Sequence, residues 1–155
     1  MKYKVECIKD LNFLKRRKYF QGIIDIIKHN NLELELEVSK EYRDNFAILK
    51  NGNLVKFYYN KIINIKRTHM LEIYISHELG HYFVKDKLGD KYNVFNTARF
   101  YEQTKKDKKI VLYEEFLAWE EARCLLRKIN FNRWKEFEKH RILCLRSYIR
   151  FFKFE

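Results

Sequence analysis

Residues 11–29 carry Leu11, Leu14, Tyr19, Ile23, Ile26 and Ile27 between basic residues. That spacing predicts an amphipathic helix, with Gly22 a mild interruption and Asn30-Asn31 as its end. Leu32-Glu33-Leu34-Glu35-Leu36-Glu37-Val38 then alternates strictly. This predicts a strand with one buried face and one wet face. The apolar runs 46–50 and 54–59 flank Asn51-Gly52-Asn53. Asn and Gly both accept positive φ, so the pattern predicts a hairpin. Residues 32–59 together predict a small antiparallel sheet.

Residues 66–85 are apolar nearly all round, which predicts a helix buried inside its domain. Residues 86–109 are polar and hold Gly89-Asp90 and the run Lys105-Lys106-Asp107-Lys108-Lys109. They predict a mobile surface segment with a solvated charge run. A further helix is expected over 111–129, broken at Asn130, and a basic amphipathic one over 132–152. The apolar side of this last helix is Trp134, Phe137, Ile142, Leu145, Tyr148, Ile149 and Phe152. Arg133, Lys135, Lys139, Arg141, Arg146, Arg150 and Lys153 make its basic side. No repeat or linker divides the chain, so an α+β fold over residues 1–155 as one domain is expected: a small antiparallel sheet packed on a buried helix, with helices following.

The buried segment contains Ser76-His77-Glu78-Leu79-Gly80-His81, which fits H-E-x-x-H. At about 100° per residue, positions i and i+4 lie about 40° apart and one helical turn along. Two imidazoles so placed fill two corners of a tetrahedral zinc site. Glu78 points about 100° away from His77, outside the ligand set but near its open corner, and is the candidate general base. Unpaired polar groups in an apolar helix cost about 1–3 kcal/mol each, and metal ligation satisfies both rings. The alternatives are hydrogen-bonded core histidines, or a zinc site that is structural or degenerate.

A catalytic zinc needs a third protein ligand. His69 lies two turns before His77 on the expected helix, His140 sits on the basic last helix, and His29 ends the first helix where a cation suits the dipole. A carboxylate is the better candidate. With Glu115 at zero on a helical wheel, Val111, Trp119, Ala122 and Leu126 fall within about 40° and Ala118 within about 60°. Glu114, Glu120 and Glu121 fall about 100° or more away. Glu115 therefore stands in an apolar stripe where a bare carboxylate needs a partner. Small Ala118 and Ala122 allow the two helices to approach closely. A rotated helix would instead make Glu114 the ligand and leave Glu115 wet.

Ile75-Ser76-His77-Glu78-Leu79-Gly80-His81, followed by a helix with Glu115-x-x-Ala118, resembles the ImmA/IrrE family of small zinc metallopeptidases. These are gluzincin-like proteins of phages and integrating elements. The resemblance covers about residues 45–127 and is strong at the two motifs. It implies a minimal zincin-like domain holding Zn2+ through His77, His81 and Glu115, with Glu78 as general base. It also implies cleavage of a protein substrate, a helix-turn-helix repressor that silences a mobile element. Where the family often carries Asn, and wider gluzincins Asp, to buttress a ligand histidine, this chain has Trp119. Tyr74, Tyr82 and Tyr113 are candidates to donate to a tetrahedral oxyanion.

Composition narrows the rivals. An apolar share of 46% excludes a disordered chain, and the lack of proline excludes collagen-like or Pro-rich segments. The formal net charge of +12 attracts polyanions, so weak non-specific nucleic-acid binding is expected. Cys7, Cys124 and Cys144 have no metal-like spacing and are expected to be reduced thiols. The N-terminus has no apolar signal region, and no stretch approaches the ~18 apolar residues of a membrane span, so a cytoplasmic protein without membrane contact is expected. Two other functions fit the same residues: a non-proteolytic zinc-containing regulator that binds a protein partner, and a basic nucleic-acid-binding protein with structural zinc.

Overall fold

The computed structural model describes residues 2–4, 14, 16–38, 46–50, 54–59, 69–101 and 104–153; for the strands it describes the backbone and, of their side chains, that of Leu34. The chain runs β1 (Lys2–Lys4), α1 (Lys18–His29), β2 (Glu33–Val38), β3 (Phe46–Lys50), β4 (Leu54–Tyr59), α2 (Met70–Leu88), α3 (Asn93–Tyr101), α4 (Lys105–Lys128) and α5 (Trp134–Phe151).

The expected fold class is corrected. The part with described side chains is almost entirely helical, which does not fit an α+β domain built on an antiparallel sheet. The described strands pair in the order β1-β2-β4-β3, and only β3–β4 is antiparallel; β1–β2 and β2–β4 run parallel. The reason lies in the connections. α1 sits between β1 and β2 and carries the chain back across, as a parallel pair requires. The expected Asn51-Gly52-Asn53 turn, residues 11–13 and residues 66–68 lie outside the described residues.

α1 buries Phe20, Ile23, Ile24 and Ile27, one face of a 3.6-residue repeat. Asn31 follows it at φ 54, a left-handed position that Asn tolerates. α2 is covered on opposite sides. Leu71, Ile75 and Leu79 join the core of α1, Leu32 and Leu34, whereas Ile73 joins Trp119, Ala122, Leu126, Phe131 and Phe137. This two-sided burial is why its sequence shows no polar face.

The expected mobile segment over 86–109 is also corrected. α2 continues through Leu88, a 3-10 turn spans Gly89–Tyr92, and α3 follows directly. Tyr92 and Phe95 are buried beside Val84, and Ala98 beside Val111. The lysine run is the first turn of α4. Thr104 Oγ1 accepts the Asp107 backbone N–H at 3.0 Å, and the Asp107 carboxylate accepts the Thr104 backbone N–H at 3.2 Å. This capping box satisfies donors that a helix start otherwise leaves unpaired.

α2 packs most extensively on α4. Their approach is set by backbone: a Cβ built on Gly80 would lie 2.1 Å from the Ala118 carbonyl oxygen. α5 packs across both α2 and α4. It buries Phe137, and Cys144 and Leu145 pack on the Trp119 core, while Ile142 is 42% exposed, contrary to its expected place on the apolar side. Arg123 and Arg141 each bridge Glu120 of α4 and Glu138 of α5. Arg141 thus belongs to a helix–helix contact rather than to a free basic face.

Candidate metal centre

The Gly80–Ala118 contact brings one turn of α2 against one turn of α4. His77 and His81 face Glu115 across it. His77 Nε2 lies 3.2 Å from His81 Nε2 and 3.2 Å from Glu115 Oε2, and His81 Nε2 lies 3.7 Å from Glu115 Oε2. These separations bracket the ~3.4 Å edge of a tetrahedron whose corners stand about 2.1 Å from its centre, the zinc–ligand distance for nitrogen and oxygen donors. His77 is 7% exposed and Glu115 3%. Two imidazoles and a carboxylate are a donor set that suits Zn2+, so the residues fit the ion. Donor atoms of His77, Glu78 and His81 also lie within 4.8 Å of one another, which puts the Glu78 carboxylate beside the histidine pair. Glu78 is half-buried.

Glu114 corrects the helical-wheel reading. It was expected on the wet side of its helix, yet it is 0% exposed. The side assigned to water is covered by the 3-10 turn and α3, the segment expected to be mobile. Glu114 Oε1 accepts from Tyr92 at 2.7 Å and meets His81 Nδ1 at 2.5 Å, and Oε2 pairs with Arg99. A carboxylate on the second ring nitrogen fixes the tautomer and the direction of a ligand histidine. Sequence reasoning missed Glu114, Tyr92, Arg99 and Tyr148. One signal was available: a ligand histidine needs an acceptor for its other nitrogen, and an adjacent glutamate on the facing helix can supply one.

Glu115 is held from two sides. Its Oε1 accepts from Arg99 at 2.9 Å and from the Tyr148 hydroxyl at 2.8 Å. Its Oε2 is the atom facing His77 and His81.

Trp119 does not replace the buttress it displaces. Its ring stacks on His77 with centroids 4.2 Å apart and planes inclined by 18°. Among the described residues, His77 Nδ1 and Trp119 Nε1 are both buried without a hydrogen-bond partner. His77 is therefore oriented by stacking and His81 by a carboxylate.

The charges balance inside this cluster. Burial works against a charged His81, but hydrogen bonds to Glu114 and then Glu115 outweigh it and push its pKa up to about 10. Burial lowers the pKa of His77, against the pull of Glu115. Burial alone would raise the pKa of Glu115, yet the bonds to His77 and His81 hold it far below the carboxylate range. The same opposition, led by burial and overcome by His81, keeps Glu114 ionised. Two carboxylates thus face the Arg99 guanidinium and the His81 ring.

The other histidines lie elsewhere. His69 precedes α2 and sits 3.5 Å from Glu72. His140 is half-buried rather than on the surface, with Nδ1 3.2 Å from the Tyr74 hydroxyl. His29 is exposed at the end of α1. Among the tyrosines expected as oxyanion donors, Tyr113 is 56% exposed and Tyr82 packs edge-on against Phe83. Tyr74 is the one linked to α5. Cys124 and Cys144 are free thiols, and Cys7 lies outside the described residues. Among the described residues no helix is long and apolar enough to cross a membrane.

No family model, no curated protein and no solved structure matches the chain.

Proposed function

We propose that this protein is a zinc-dependent endopeptidase of the ImmA/IrrE type. It acts in the cytoplasm on a regulatory protein such as a helix-turn-helix repressor of a phage or mobile element. The observation that carries this reading is the triangle of His77 Nε2, His81 Nε2 and Glu115 Oε2, with the Glu78 carboxylate beside it. His77, His81 and Glu115 hold the metal. Zinc supplies Lewis acidity, lowering the pKa of water toward 7 and polarising a peptide carbonyl. Glu78 takes a proton from the attacking water and returns it to the leaving amine. Trp119 and Glu114 keep the two rings aimed at a common point. The +12 surface adds weak, salt-sensitive attraction to nucleic acid.

Glu78→Gln tests this. The variant is expected to keep its fold and about one zinc per chain while losing about 100- to 10,000-fold in peptidase rate, the range for a general base. A variant cleaving a repressor as fast as wild type would overturn the mechanism.

A second reading has one observation in its favour. Among the described residues, His77 Nδ1 lacks the acceptor that a ligand histidine ordinarily has. That favours a zinc-containing regulator that binds its protein partner without cutting it. On that reading wild type and Glu78→Gln bind the partner equally and neither cleaves it.

A further inference from the structure

The basic C-terminal helix has no part in the H-E-x-x-H motif or its third ligand, yet α5 reaches the centre of the site. So does α3. Glu115 has two oxygens with different surroundings. Oε2 faces the two histidine nitrogens. Oε1 is turned the other way and accepts from Arg99 of α3 at 2.9 Å and from Tyr148 of α5 at 2.8 Å. A carboxylate oxygen that already accepts two hydrogen bonds, one from a guanidinium, has little left to offer a cation.

We propose that Arg99 and Tyr148 are positioning residues that hold Glu115 Oε1 away from the metal, so that Glu115 binds through Oε2 alone and a fourth coordination position stays open. This rests on the proposed metal site and adds a statement about its coordination number. Carboxylates ligate in either a one-oxygen or a two-oxygen mode. With His77 and His81, the two-oxygen mode fills four positions, so water or a substrate carbonyl can enter only as a fifth ligand. The one-oxygen mode fills three.

The two residues come from separate elements and approach Oε1 together. Arg99 also pairs with Glu114, the carboxylate behind His81. One guanidinium therefore ties the third ligand to the buttress of the second ligand. Tyr148 donates to Glu115 and is half-buried against Ala98, Val111 and Phe152, so removal of its hydroxyl leaves the packing in place. That makes Tyr148→Phe the cleaner variant.

The test uses the full chain loaded with Co2+, whose visible ligand-field bands weaken as the ion passes from four to five ligands, together with zinc titration against a chelating dye. Wild type is expected to show the strong absorption of a four-coordinate ion. Tyr148→Phe is expected to weaken it as Glu115 turns to bind through both oxygens, and Arg99→Gln to weaken it further. Zinc affinity should fall by about 10- to 100-fold, the usual cost of losing a partner of a ligand. Glu121→Ala, which removes only the pair with exposed Lys87, should leave the cobalt spectrum unchanged. A purely structural role for Tyr148 would lower the melting temperature without moving the spectrum. If wild type takes up cobalt and Tyr148→Phe gives the same spectrum and zinc affinity, the inference fails while the metal site stands. If wild type takes up no metal, the site and the inference fail together. Should Arg99→Gln not fold, Tyr148→Phe decides alone.

Discussion

The first turn of α2 and its middle each stand a histidine against a buried glutamate, and the two places are closed in different ways. At the first turn, Glu72 is 0% exposed; its Oε2 accepts from Arg17 Nη2 at 2.8 Å, and its Oε1 lies 2.7 Å from Arg17 Nε as an ion pair. His69 stands 3.5 Å away and its backbone N–H donates to Glu136 of α5 at 2.6 Å. At the middle of α2, Arg99 holds only the far oxygen of Glu115, and the near one meets two imidazole nitrogens. Burial of an acid beside a histidine is thus common to both places. What separates them is where the cation sits. The Arg17 fork fills the first cluster from within, whereas three donor atoms of the second converge on one point.

The largest expected effect breaks the first cluster. Glu72→Ala leaves the Arg17 guanidinium without its buried partner and should cost about 3–5 kcal/mol of stability. Chemical denaturation checks this, and zinc content per folded chain should not change. His81→Ala should act in the opposite sense, removing zinc and with it the stabilisation lost on chelation. That stabilisation is about 2.7 kcal/mol at free zinc 100 times the dissociation constant. Thermal melts with and without a chelator should differ for wild type and coincide for His81→Ala; a chelator effect that survives in the variant would remove the distinction between the two clusters.

Glu114→Gln sharpens the comparison further. It keeps the shape of the side chain but weakens the acceptor on His81 Nδ1, so zinc affinity should fall by about 10- to 100-fold. A competitive titration reads this directly, and a value equal to wild type would return Glu114 to the role of a bystander. The smallest effect is expected at Glu121, whose partner Lys87 is 60% exposed. Glu121→Ala should change stability by no more than about 1 kcal/mol and zinc affinity not at all. A large loss there would mean that the metal-bearing face of α4 extends beyond Glu114, Glu115 and Ala118.

What the sequence revealed of this site follows from distance along the chain. His77, Glu78 and His81 share one helical turn, so their geometry is written into their spacing. Glu115 was legible because an ionised side chain stood among Val111, Ala118, Trp119, Ala122 and Leu126, all buried in the structure, whereas Glu120 and Glu121 are only half-buried. Glu114 was not legible, because its burial depends on α3, and among its described side chains α3 shows only Phe95 and Ala98 as an inward stripe. Few apolar positions in a lysine-rich stretch read as loop. The capping signal Thr104-Lys105-Lys106-Asp107 was there to be read and moves the start of α4 ahead of the lysine run. The sheet misled for a different reason. Hairpin chemistry at Asn51-Gly52 speaks only for β3 and β4, whereas β1 is three residues long and pairs with a strand beyond an intervening helix.

Gly80 supplies no ligand and donates nothing to the cluster, but its bare α-carbon lies where a Cβ would be 2.1 Å from the Ala118 carbonyl oxygen. The gap between the histidine-bearing helix and the glutamate-bearing helix is thus set by main-chain atoms, which every residue possesses. Drift among the surrounding side chains leaves this gap untouched. Genetic variation can widen it most directly at residue 80, where even a methyl group has to push the helices apart. A position with no chemistry of its own thus sets the separation on which the metal-facing side chains depend.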